Sequence, residues 1–195
     1  MEQIIVKNET SFADEEIKKD NAILPQLCSG FGQLHTNEKD PDKPYKVLTP
    51  YRQINLNKIR SMIDNPMSVE KDQAQWVIFS TLPSRNFKTQ EKEGKFYFLW
   101  ADLDKNPKKL VTVLISIIGS NAQYEIYTTK SATEQEQRAR ILIVLYEPLN
   151  GKDWLLCQEA LNDKLEEQGI TPDRATERAA QLCYLPNKGY VCVNS

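Results

Sequence analysis

At 195 residues, with 40% hydrophobic and 27% charged side chains, the chain has the make-up of a globular protein able to bury one core with elaborations around it. A net charge of −2 excludes a uniformly basic surface, so any contact with nucleic acid has to come from a local patch. The single histidine, His35, excludes metal or nickase sites built on two histidines, and the four cysteines lack CxxC spacing.

Residues 1–54 are polar and interrupted by Pro25, Pro41, Pro44 and Pro50. They read as an arm packed on or flanking a core that begins at residue 55. The acidic start is neither a signal nor a transit peptide. No run approaches the roughly 18 apolar residues of a membrane span, and the thiols fit a reducing compartment, so a cytoplasmic location without membrane contact is expected. Within the arm, LCSGFGQL (27–34) holds two glycines but no lysine–serine pair. It is no P-loop, and reads as irregular chain or as a segment that holds a partner or template.

Leu56, Ile59 and Ile63 recur at helical spacing over residues 54–64, ahead of Asn65-Pro66. Residues 75–82 (QWVIFSTL) read as a strand, and residues 83–94 as a charged loop or long hairpin. Residues 95–104 (KFYFLWADLD) read as a buried strand ending in two aspartates. Residues 107–119 (PKKLVTVLISIIG) have proline at the start and glycine at the end, as a helix would; their β-branched content leaves strand open. Strands follow at 123–129 and 138–146, then an amphipathic helix at 151–169. Short turns and strands come last, at 176–180, 181–185 and 190–193. Cys157 and Cys183 sit in apolar patterns and are expected in the core.

From residue 95 the order is strand, helix, strand, strand, helix, strand. That is an α+β arrangement, the ferredoxin-like or RNA-recognition-motif βαββαβ core with an antiparallel sheet, preceded here by an N-terminal α/β elaboration. Its expected sheet order, by core strand, is 4-1-3-2. Four segments then reach one edge: Asp102 and Asp104, the 128–137 loop, Arg138 and Arg140, and residues 172–173. Strand alternation puts Tyr97, Leu99, Ala101 and Leu103 toward the helices and Phe98, Trp100, Asp102 and Asp104 on the opposite, half-open face, with Arg138 and Arg140.

Carboxylates at i and i+2 on a strand repel unless a hard cation joins them, and Mg²⁺ or Mn²⁺ prefers such oxygens. Asp102, Asp104 and Asp173 together suit two divalent ions in phosphoryl transfer. Arg138 and Arg140 suit phosphate oxygens, and Thr129, Ser131 and Thr133 offer hydroxyls to the same group. Each also has a plainer use. Aspartates at a strand end solvate a loop or cap a helix, Asp173 suits the cap of a helix starting near Arg174, and the arginines suit a solvated strand end.

The succession WADLD, YTTKSAT, QRARILIVLYEPL and ITPDRATERAAQLCYLPN resembles the archaeo-eukaryotic primase superfamily, nearest to the primase or primase-polymerase domains of phage and plasmid replication proteins. The resemblance spans residues 75–190. It implies that Asp102 and Asp104 are the first-motif metal ligands, Ser131 the second-motif serine, and Asp173 the third-motif acid, followed by a turn like 184–187. Where that family has a histidine beside the serine, this chain has Ala132. Arg138 or Arg140 can supply the cation instead, or the domain binds nucleotide or DNA without efficient synthesis.

The expected activity is template-directed nucleotidyl transfer by a DNA primase or primase-polymerase. It would use NTP or dNTP, a DNA template and two Mg²⁺ or Mn²⁺ ions. A helicase domain or separate helicase would be its partner, since the sequence has no P-loop. Two alternatives share the fold: a non-catalytic binding module for origin or single-stranded DNA, with Phe98 and Trp100 stacking bases, and a metal-dependent nuclease.

Overall fold

The computed structural model describes residues 24–32, 51–104, 110–133 and 138–188. Most of the 1–54 arm, the start of the 107–119 segment, the 190–193 strand, His35 and Cys192 lie outside them. The fold is α+β, and the described residues form two antiparallel sheets. Among the described residues, no helix is long and apolar enough to cross a membrane.

The three-stranded sheet follows the sequence pattern closely. Its order is β4 (Lys95–Leu103), β6 (Ala139–Asn150), β5 (Tyr124–Thr128), matching the expected neighbours 1-3-2. Alternation divides β4 and β6 into two faces. Ala101, Leu103, Ala139, Ile141 and Ile143 pack with Leu114 of helix α3 (Leu110–Ile118) and Leu161 and Leu165 of helix α4 (Gly151–Glu167). So 107–119 contributes a helix and not a strand. Helix α4 starts at the cap Asn150, whose side chain accepts from the N–H groups of Lys152 and Asp153. Trp154 is buried there, whereas Cys157, expected in the core, is exposed; Cys183 is buried as expected.

The other face of β4 is not open. A four-stranded sheet covers it, in the order β2 (Arg52–Ile54), β1 (Leu27–Phe31), β3 (Gln75–Ile78), β7 (Cys183–Tyr184). Phe79, just past β3, lies with its ring 5.1 Å from Phe98 and 5.8 Å from Trp100. Phe98 and Trp100 are 1% and 2% exposed, so they are core side chains and cannot stack bases. The segment read as irregular arm, 27–31, is instead an inner strand, with Leu27 and Cys28 buried. It lacks a glycine-free apolar run because Trp76 lies across Gly30, where a Cβ would collide with the indole. Helix α1 (Leu56–Asp64) follows β2 and buries Leu56, Ile59 and Met62.

The 83–94 stretch is also not a loop. It forms helix α2 (Phe87–Glu93), capped by Asn86, whose side chain accepts from Thr89 N–H. Its buried residue is polar: Gln90 accepts from Ser80 Oγ (2.6 Å) and donates to the carbonyls of Leu82 (2.9 Å) and Ser84 (2.7 Å). That satisfied amide holds the turn between β3 and α2.

Among the described residues no strand runs along the outer edge of β4, where the fourth strand of the expected core belongs; residues 183–184 pair with β3. The physical reason is that the edge is already hydrogen-bonded. Ser80 bridges Phe96, and Tyr97 N–H donates to Phe79 (3.0 Å). Trp154 Nε1 donates to the Phe98 carbonyl (2.8 Å). Gln158 accepts from Trp100 N–H (3.1 Å) and donates to the Trp100 carbonyl (2.8 Å). Asp173 N–H donates to the Asp102 carbonyl (2.8 Å), beside a bridge between Leu103 and Pro172. Side chains of α4, with the backbone of residues 79–80 and 172–173, thus do the pairing that a strand would do.

Candidate phosphate and metal site

Asp102 and Arg140 are direct cross-strand partners on β4 and β6, so their side chains rise from one face. Arg140 donates from Nε (3.0 Å) and Nη2 (2.9 Å) to Asp102 Oδ2, and from Nη1 to the Tyr184 carbonyl (2.7 Å). The side chains are 14% and 27% exposed, which makes this a partly desolvated pair and not a surface contact. Burial works against the guanidinium charge, but the Asp102 carboxylate bonded to it helps hold its pKa above the ordinary value. Tyr127 stands across β6 from Arg140 and donates to the same Tyr184 carbonyl (2.8 Å). Burial pushes its phenol well above the usual range, so it stays a neutral donor.

Asp104 lies at the open end, 82% exposed, with Arg138 Nε 3.8 Å from Oδ1. Asp173 is delivered beside Asp102 by its backbone, as expected. Its carboxylate, however, caps the 3-10 turn at Arg174–Glu177, accepting from Ala175 N–H (2.8 Å). Among the described residues no three of the His, Cys, Asp and Glu side chains gather to hold a metal, so Asp173 does not complete a triad with the pair. Asp102 Oδ1 accepts no hydrogen bond among the described residues, and Asp104 faces solvent. Two carboxylates, completed by water or ligand phosphate, are a donor set that Mg²⁺ takes, so the first pair fits a hard divalent cation.

On the far side of Arg140 a cleft of about 540 Å³ opens at the seam between the sheets. Arg140, Thr129, Lys130 and Ser131 form one wall. Glu70, Lys71 and Ala74, with Tyr184, Leu185 and Asn187, form the other. Three of the expected phosphate-binding residues, Thr129, Ser131 and Arg140, therefore share one cavity; Thr133 and Arg138 are not on its walls. Thr129 and Ser131 hydroxyls lie 3.3 Å apart. Lys130 Nζ spans the cleft to Glu70 Oε1 (2.9 Å) and the Val69 carbonyl (3.0 Å). Asn187 accepts from Val69 N–H and donates to Val69 O (3.1 and 2.7 Å), tying the two chain segments of the second wall together.

Ala132 is buried and its N–H closes a turn on the Thr129 carbonyl (3.0 Å). The neighbour of Ser131 that lies on the cleft wall is Lys130. Lys130 and Lys71 were missed because each sits in a polar stretch with no periodicity; only the folding of residues 69–71 against the 129–131 turn makes them neighbours.

Compared with known proteins, the chain matches no family model, no curated protein and no solved structure.

Proposed function

We propose that the chain is a nucleotidyltransferase of the primase or primase-polymerase kind, which binds a nucleoside triphosphate by its phosphates in the cleft and adds it under the direction of a DNA template. On this reading β4, α3, β5, β6 and α4 are the greater part of an RNA-recognition-motif-like core, with α4 side chains taking the place of the fourth strand at the edge. The observation that carries it is the position of Arg140, which forms cleft wall on one side and grips Asp102 on the other. Phosphate and cation are thereby brought to adjoining groups.

In this reading Arg140 and Lys130 hold the phosphate oxygens, and Thr129 and Ser131 donate hydroxyl hydrogen bonds to them. Asp102 and Asp104 would hold a divalent ion, which would supply positive charge beside the phosphates. Lys130 releases Glu70 to engage the ligand. The second reading, a binding module with Phe98 and Trp100 as its stacking platform, loses that platform because both rings are in the core.

The test is primer synthesis and extension on single-stranded DNA with labelled nucleotides and Mn²⁺. Asp104→Ala is the clean variant, because that side chain is exposed and its pairing contributes little to the fold. Asp102→Asn is preferable to Asp102→Ala, which would strand the Arg140 charge. Wild type is expected to make product, and Asp104→Ala to make roughly a hundredfold less. Absence of product from wild type, with DNA bound equally with and without the aspartates, sinks the enzyme reading. Degradation of the template instead points to a nuclease.

A further inference from the structure

The cleft walls carry three cations, Lys71, Lys130 and Arg140, and a single acid, Glu70. In a chain of net charge −2 that is a local excess of positive charge. Two of the cations are held by carboxylates, in unlike ways. Arg140 and Asp102 are partly buried, and the guanidinium also grips the Tyr184 carbonyl. Parting them would leave two poorly solvated charges alone. Lys130 and Glu70 are 44% and 82% exposed, so water can take up each charge when they separate.

The Lys130 ammonium crosses from one wall of the cleft to the other. Besides Glu70 it meets the Val69 carbonyl (3.0 Å). That carbonyl also accepts from Asn187 Nδ2 (2.7 Å), so it keeps a donor when Lys130 leaves. Asn187 further accepts from Val69 N–H (3.1 Å), which holds the backbone of the second wall in place. Opening thus breaks one exposed ion pair and one hydrogen bond, and orphans no backbone group. The Glu70 carboxylate oxygen, 2.9 Å from Lys130 Nζ, stands in the relation to that ammonium that a phosphate oxygen would take.

We propose that Glu70 is a latch on the cleft, an internal stand-in for phosphate that straps Lys130 to the second wall until a polyphosphate displaces it. The latch rests on the reading of the cleft as a phosphate site and adds a control to it. A ligand that needs Lys130 binds only the unlatched fraction of molecules, so its apparent affinity falls in proportion to that fraction. A polyphosphate long enough to meet Lys130 and Arg140 together overcomes the latch, because it replaces the carboxylate and gains a second cation. The Arg140–Asp102 pair stays fixed throughout, so the latch moves only two long side chains.

The test is calorimetric titration with two probes, thymidine triphosphate and inorganic tripolyphosphate, at low and high salt. Glu70→Gln is expected to bind each probe about three- to fivefold more tightly than wild type. That gain shrinks as salt is raised, because salt screens the ion pair that Glu70 makes. Lys130→Gln weakens binding about tenfold. In the Lys130→Gln background Glu70→Gln adds nothing, since no latch is left to release. Glu147→Gln makes the same charge change at an exposed position seven residues along β6 from Arg140, and leaves both affinities unchanged.

Affinity in Glu70→Gln equal to or below that of wild type overturns the latch and leaves the nucleotidyl-transfer reading standing. A gain that persists in the Lys130→Gln background also overturns it, by making Glu70 a general repeller of anions. Tripolyphosphate binding with the expected gain, but no binding of thymidine triphosphate, sinks the nucleotide reading and leaves the latch in place. Binding of neither probe, by wild type or by Glu70→Gln, overturns both.

Discussion

The two sheets were written into the sequence in different ways. The strands of the three-stranded sheet come from one continuous stretch, residues 95–150, and its strands are up to 12 residues long. The four-stranded sheet is gathered from residues 27–31, 52–54, 75–78 and 183–184, with strands as short as two. Yet the second sheet lends Tyr184 to the cleft, and Phe79, next to its strand β3, meets both Phe98 and Trp100. A long strand with clean alternation states its own two faces; it does not state what lies on each.

The sharpest way to break that comparison is at the contact between the sheets. Phe98→Ala removes a ring that is 1% exposed and touches Phe79, and is expected to cost about 3–5 kcal/mol. Urea unfolding followed by far-UV circular dichroism and by tryptophan fluorescence should give one coincident, destabilised transition. Two separated transitions would mean that the sheets are independent units and that the burial of Phe98 matters to only one of them.

A smaller effect is expected at the outer edge of β4. Gln158→Leu keeps the size of the side chain but leaves the N–H and C=O of Trp100 unpaired, at a cost of about 2 kcal/mol. The amide of Trp100 should also lose hydrogen-exchange protection while those of the β4–β6 ladder keep theirs. Unchanged protection would mean that the amide is guarded by something other than Gln158. Smallest is Asn86→Ala, expected to cost about 1 kcal/mol through loss of the α2 cap. Thermal unfolding checks it, and a change below a few tenths would show that Gln90 alone holds this helix.

What was legible follows the same division. β4, β6 and α4 were readable because long periodic runs fix both type and face. That Asp102 and Arg140 share a face was readable from alternation alone; that they bond to each other was not. Helix α2 was not, since FKTQEKE buries a glutamine and shows no apolar stripe. β1 was not, since a serine and a glycine interrupt it. Ser29 is nonetheless fully buried because its hydroxyl donates to the Trp76 carbonyl (2.6 Å). The cleft lysines escaped for a further reason: Lys130 meets Glu70 across 60 positions, and no local pattern encodes such a meeting.

The Asn187 clamp on Val69 joins residues 118 positions apart. During synthesis, at roughly 5–20 residues per second, the second half of that clamp emerges on the order of ten seconds after the first. Until then β3 lacks β7 as a neighbour, Arg140 lacks the Tyr184 carbonyl, and the second wall of the cleft lacks Tyr184, Leu185 and Asn187. The nascent chain therefore carries Asp102 and Asp104 before its cleft is complete. A ligand that needs both walls will recognise only finished molecules, and by binding them it will draw late-folding chains toward completion.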